Sequence, residues 1–290
     1  EAAIFVNQTW EGDAEIQELL RNRDFRIALS IAIDRNEINE SIFLGIGQPR
    51  TFIPLPGSLF YPGSEYEKKY TERDLVKANT ILDGLGLKRR SKDGYRLHPS
   101  RNEKLRFSLA ALSRTFLNFE GIGELLINHL KEVGISVQLK VEERSLFFAH
   151  VRNNEHQLTI WADPAPNPWA YPPISLPVDS LNAFAPFVGM WYSTNGQKGI
   201  APTGGLKQLI ELFNKGNGVP IEIRGELGKE LWRVHVDNLY VIGIVGNSPA
   251  YNGVLVVKNN FRNVPDKAPN ISFLQNPGIA RTEQFYFEQN

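Results

Sequence analysis

The chain has 290 residues, with 32 basic and 32 acidic side chains, 42% hydrophobic residues and no cysteine. Balanced charge removes the long-range attraction that phosphate backbones or anionic lipids require, which excludes nucleic acid as a partner. The missing thiols exclude disulfides and sulfur-ligated metals, and no run approaches the roughly eighteen consecutive apolar residues of a membrane span.

Between Arg21 and Ile42, Phe25, Ala28, Leu29, Ala32 and Ile33 recur at helical spacing and predict one helical face, with a polar stretch from Asp34 before Ile38 and Ile42. Thr71 with Asp74 reads as an N-terminal cap, Leu75, Ala78 and Leu82 supply the following face, and Gly84 stops that helix. Leu105 to Leu112 reads as a strand. Ile122, Leu125, Leu126, Leu130 and Val133 form a further helical face, after which Gly134 turns the chain into a strand at Val137 to Val141. Leu158 to Trp161 and Leu239 to Val245 are the remaining strand candidates. Strand, helix, strand order with short connections predicts an α/β fold, a sheet flanked by helices. Residues 163–205 hold eight prolines without a sustained period, and read as ordered loop, where ligands are commonly met on a rigid scaffold.

Signatures of catalysis do not emerge. The chain has no Gly-x-Ser-x-Gly elbow, no phosphate-binding loop and no His-Glu-x-x-His, and Gly121-Ile122-Gly123 lies inside a predicted helix rather than before one. His98, His129, His150, His156 and His235 are far apart or on faces predicted to be exposed, which reads as satisfied or solvated histidine. Glu142 and Glu143 are adjacent at a strand end, so their carboxylates point to opposite sides and make a poor acid and base pair. Asn7-Gln8-Thr9, Asn39-Glu40-Ser41 and Asn270-Ile271-Ser272 match glycosylation acceptors.

The candidate site is aromatic. Trp161 and Asp163 lead into Asn167, Trp169 and Tyr171, and Trp191 and Tyr192 follow further on. Indole and phenol faces with nearby amides and one carboxylate suit sugar rings, which stack on them, or peptides, whose side chains need roomy pockets. The alternative is that these tryptophans are core residues.

Six segments in order resemble one family. Arg26-Ile27-Ala28-Leu29 through Ala32-Ile33-Asp34-Arg35 is similar to a motif reading Arg-Ala-Leu-x-x-Ala-Ile-Asp-Arg. Next come Gly45-Ile46-Gly47-Gln48-Pro49 and the helix from Tyr70 to Leu87 with the turn at Asp93-Gly94-Tyr95. The helix-to-strand unit from Leu125 to Val137, Asn238 to Gly243, and Val257 to Pro265 complete the set. Together they resemble the family 5 extracellular solute-binding proteins, the ligand-capturing subunits of ABC importers for peptides, nickel and some oligosaccharides.

The resemblance implies a periplasmic-binding-protein type II lobe with a mixed sheet and a C-terminal return segment. It places a hinge strand at 1–10, the second lobe at 11–245 and the return segment at 246–290, with a signal and most of a first lobe lying outside this sequence. Such a lobe without its partner is expected to bind solute weakly. The implied partners are an oligopeptide or oligosaccharide and an ABC permease. The implied protein is a monomer, periplasmic or extracellular, with no cofactor, no metal and no enzymatic activity; a sensor on the same fold or a peptide or glycan hydrolase are the alternatives. Peptide-binding relatives carry Gly-Trp-x-x-Asp-x-x-Asp-Pro, whose aspartate pairs with the ligand's amino terminus. Here Trp161-Ala162-Asp163-Pro164-Ala165-Pro166-Asn167-Pro168 changes the spacing and puts Asn167 before proline, leaving Asp163 as the carboxylate for that role. A buried ammonium needs a paired carboxylate, so peptide and oligosaccharide both stay open.

Overall fold

A computed structural model describes residues 2–113, 115–162, 167–247, 256–266 and 280–288. Its main sheet has six strands in the order β2-β6-β1-β5-β3-β4: β1 Ala2–Val6, β2 Gln48–Pro49, β3 Arg106–Leu112, β4 Ser136–Glu142, β5 Leu158–Ala162 and β6 Val241–Gly246. β3 runs parallel to β4 and β5, while β1 is antiparallel to β5 and β6. This is the mixed α/β sheet that the sequence implies.

Alternation along β1 shows why both faces are covered. Ala2, Ile4 and Val6 enter one hydrophobic core and Ala3 and Phe5 the other, as a period of two requires. The first core is built with α1 Ala14–Arg21, α2 Arg23–Ala32, α3 Arg35–Phe43, α4 Leu75–Gly84 and α5 Phe119–Glu132. α6 Arg144–Arg152 adds Phe147 and Val151 to that first core, and the second core is built with the single turn α7 Pro172–Ser175, α8 Pro186–Ser193, α9 Gly204–Lys215 and α10 Ile221–Asn238. Phe5, Phe52 and Trp232 meet there edge to face. Phe261–Arg262 (β7) pairs antiparallel with Tyr286–Phe287 (β8) in a separate two-stranded sheet.

Several sequence expectations need correction. The helical face between Arg21 and Ile42 is divided, because the Asp34 side chain accepts from the Glu37 amide and starts a second helix. Asp74 alone caps α4, since the Thr71 hydroxyl donates to the Lys68 carbonyl; Gly84 is the last helical residue and the chain turns through Gly86, at φ +82°. Residues 163–205 are not loop throughout. Prolines occupy the first turns of α7 and α8, where a missing N–H costs nothing. Gly134, at φ +79°, makes the expected turn.

The histidines follow the satisfied reading but not the expected exposure. His98, His129, His156 and His235 are buried, and only His150 keeps substantial exposure. Each buried ring has a partner, such as the Ala183 carbonyl for His156 and the Ser175 carbonyl for His235. Asn7 and Asn39 are buried as well, with Asn7 tied to Asn154 and to the His156 carbonyl; Asn270 lies outside the described residues.

Three of the buried arginines tie helix ends to neighbouring segments, and Arg35 among them reaches the sheet, at the Gly243 carbonyl. Arg26 donates to the Leu20 and Asn238 carbonyls, at the ends of α1 and α10, and burial pushes its guanidinium down to about 10. Arg35 donates to the Gly243, Ser30 and Thr71 carbonyls, and burial pushes it to about 9. Arg96 bonds the Val133 and Leu87 carbonyls and pairs with Asp83. Carbonyls at helix ends carry partial negative charge, which is what a cation taken out of water needs.

Candidate functional site

Sheet register brings one edge into focus. Ala2 pairs with Ala162 and Val245, and Leu112 with Glu142, so the carboxyl ends of β3, β4, β5 and β6 share one side with the start of β1. Gln48 pairs with Gly246 there. In open α/β sheets, ligands meet the crevice beyond the carboxyl ends of the strands.

Trp161 stands at that edge, partly buried, one residue before the end of β5. Its ring lies 5.7 Å from Phe119, 6.2 Å from Phe147, 5.6 Å from Phe148 and 6.0 Å from Phe116, with the Arg144 guanidinium carbon 5.8 Å from its centroid. Phe116 is 59% exposed, which leaves an aromatic surface facing outward beside the indole. Such a box combines stacking faces with one cation and suits a ligand with flat C–H faces or an aromatic side chain. The residues around Trp161 escaped sequence reasoning; the Phe147-Phe148 doublet at the start of α6 was the available signal.

The remaining sequence candidates fall elsewhere. Trp169 packs on the second core, stacked on Phe213 at 6.0 Å with Phe60 on another side, and its indole N–H donates to the Phe213 carbonyl at 3.0 Å. Asn167 turns its side-chain oxygen back to the Trp169 amide, at 3.0 Å, closing a local turn. Tyr171 precedes α7 and is 37% exposed. Trp191 and Tyr192, on α8, line a groove of about 710 Å³ with Asn195, Lys207, Glu211 and Asn214. The Tyr192 hydroxyl donates to Asn214 Oδ1 at 2.6 Å, and burial raises its phenol above the usual range. Asp163 lies outside the described residues. The structure therefore brings Trp191 to Tyr192 in one groove and sets Tyr192 and Trp169 on the same Phe213. Trp161 belongs to a separate cluster.

Comparison with known proteins fits this architecture. Residues 2–183 match the family model described as bacterial extracellular solute-binding proteins, family 5 middle. The chain belongs to this family. It is 24% identical over 278 residues to a periplasmic alpha-galactoside-binding protein of Rhizobium meliloti (strain 1021), a match covering 89% of this chain and 36% of that protein. Among solved structures, an oligopeptide-binding protein, OppA, aligns over 99% of this chain and 47% of its own, with 29% identity and a TM-score of 0.78. The periplasmic binding protein MelB from Agrobacterium fabrum C58, in complex with stachyose, aligns over 99% of this chain and 43% of its own, with 20% identity and a TM-score of 0.72. These neighbours carry the periplasmic binding protein type II fold. This family 5 chain spans less than half the length of these three relatives.

Proposed function

We propose that this chain forms one lobe of the solute-capturing component of a bacterial ABC importer. In this reading it holds an oligosaccharide against the sheet edge where Ala2, Ala162 and Val245 meet, and a membrane permease receives the captured solute. The observation that carries it is the Trp161 box, an aromatic surface placed on the edge where the chain both enters and leaves the sheet. The partner lobe would come from sequence outside this chain, joined through residues 1–10 and through the segment from 246 onward. Capture by closing two lobes needs differential affinity for the closed form and no covalent chemistry, so we read the protein as a binder rather than an enzyme. It would work as a monomer in the periplasm or outside the cell. Among the described residues no helix is long and apolar enough to cross a membrane.

Oligosaccharide is favoured by the side chains as well as by the relatives' names. Asn167, which stands where peptide-binding relatives place a carboxylate, is an amide occupied in its own turn. Oligopeptide is the second reading, supported by the likeness to OppA and resting on Asp163 as the partner of a free amino terminus. We include Trp191 and Tyr192 as an outer groove of the same binding protein.

Titration of tag-free protein with stachyose, mannohexaose and tri- to pentapeptides, followed by the indole N–H resonances, tests the proposal. The Trp161 resonance is expected to move with the oligosaccharides and to be the first to do so. A response to peptides alone selects the second reading. Movement confined to Trp191 would transfer the site to the α8 groove, and silence of all indoles at millimolar solute would refute both.

A further inference from the structure

The cation of the Trp161 box has chemistry that the solute reading leaves unused. Arg144 is the first residue of α6 and is exposed, with its guanidinium carbon 5.1 Å from the Phe148 ring centroid and 5.8 Å from that of Trp161. Arg23, Arg26 and Arg224 also lie over rings, those of Tyr70, Tyr240 and Trp169. Each of these donates as well to a backbone carbonyl, of Asp237, Asn238 and Gly216 respectively. Among the described residues Arg144 has neither a hydrogen bond nor an ion pair, so its N–H donors have no protein acceptor.

Helix stability does not account for this residue. A cation in the first turn opposes the helix dipole, whereas His150 and Arg152 in the last turn of α6 suit it. The carboxylates beside it in sequence are committed elsewhere: Glu143 accepts from the Ser145 amide as the cap of α6, and Glu142 is engaged by His150. Position is what distinguishes Arg144. Two residues before it, Glu142 ends β4 opposite Leu112 at the carboxyl edge of the sheet, and Phe116, 59% exposed, stands beside the same indole. Ring contacts hold the guanidinium in place, and its planar fork of donors matches a carboxylate in bidentate fashion.

We propose that Arg144 is the specificity-determining residue of the Trp161 box and selects a ligand that carries a carboxylate, which in the oligosaccharide reading is a uronic acid unit. The inference rests on that reading for the sugar and on the guanidinium for the charge. A pyranose lays its C–H face on the aromatic surface while the carboxylate on its rim takes the fork. A single guanidinium balances a single carboxylate, whereas a phosphate carries close to two charges and would keep one uncompensated.

The test is titration of the tag-free chain with trigalacturonic acid and with its methyl ester, the same sugar without its charge, followed by the Trp161 indole N–H resonance. The acid is expected to bind roughly 5-fold more tightly, the upper range for an ion pair open to solvent, and the preference to shrink at raised salt. Arg144→Gln should bring the two ligands to within about 2-fold of each other, and Arg144→Lys, which keeps the charge but loses the fork, should fall between. Equal affinity for acid and ester in the parent, or a preference that survives Arg144→Gln, would overturn the proposal. Movement of Trp161 with stachyose alongside such equality would leave the oligosaccharide reading standing, so the two fail separately. A pentapeptide preferred over its C-terminal amide, with the preference lost in Arg144→Gln and no response to sugars, would sustain the carboxylate assignment and refute the oligosaccharide reading. Silence of Trp161 toward every one of these ligands would overturn both.

Discussion

Lowering the pH from 7 to 4.5 should destabilise this protein through two histidines. His156 and His235 are buried on the second face of the sheet, and burial pushes each imidazole down to about 4 from the ordinary 6.5. Folded protein therefore resists protonation at these rings until about pH 4, whereas unfolded chain accepts a proton below about pH 6.5. Between those values the unfolded state binds more protons, so stability is fully present above the window and is lost as the pH falls through it. At about 1.4 kcal/mol per pKa unit, each ring forfeits about 2.4 kcal/mol between pH 7 and 4.5, and the pair about 5 kcal/mol. That is a large part of the stability of an ordinary domain. Asp83, held below its usual value by its hydrogen bond from Arg96, gives up its contribution only at lower pH. Urea unfolding in metal-free buffer at both pH values measures the difference directly. His235→Gln keeps a donor for the Ser175 carbonyl and should remove about half of the pH dependence, whatever it does to stability at pH 7. An unchanged pH dependence in that variant, or a flat profile in the parent, would refute the reasoning.

Trp169→Ala should cost roughly 3–5 kcal/mol of stability, because the indole fills space between Phe60, Phe213 and Gly216, yet leave the Trp161 response to solute intact. Urea midpoints and the indole titration check the two halves of that statement. Gly243→Ala places a Cβ 2.4 Å from the Phe52 amide nitrogen and 2.5 Å from the Thr51 carbonyl carbon, so backbone must move and a loss of about 1–3 kcal/mol or more is expected. A melting temperature within a degree of the parent would show that residues 50–52 yield freely. Trp161→Ala should abolish the oligosaccharide response, and retention of that response would place the solute elsewhere.

Local chemistry made part of this protein legible from sequence. Ile122, Leu126 and Leu130 mark a buried helical face because side chains three and four apart lie on one side of a helix, and they are buried in α5 as expected. The strand candidates matched β3 to β6 within one or two residues, since runs of apolar and β-branched residues declare themselves locally. Six short motifs in order were enough to identify the family, and Trp161 stood out by type alone. Burial of the histidines was not readable. Whether His156 meets solvent depends on the Ala183 carbonyl, which reaches it from a distant part of the chain. The division of the aromatics into a box at the sheet edge, a core wedge and an outer groove was equally hidden. Phe116, Phe119, Phe147 and Phe148 surround Trp161 only because β3 is parallel to β5 and α5 and α6 both return against β3. Sequence determines which residues can make helices, strands and caps, since those depend on neighbours a few positions away. Which side chains share a site was decided by strand order and register, through contacts that close only when the whole sheet is assembled.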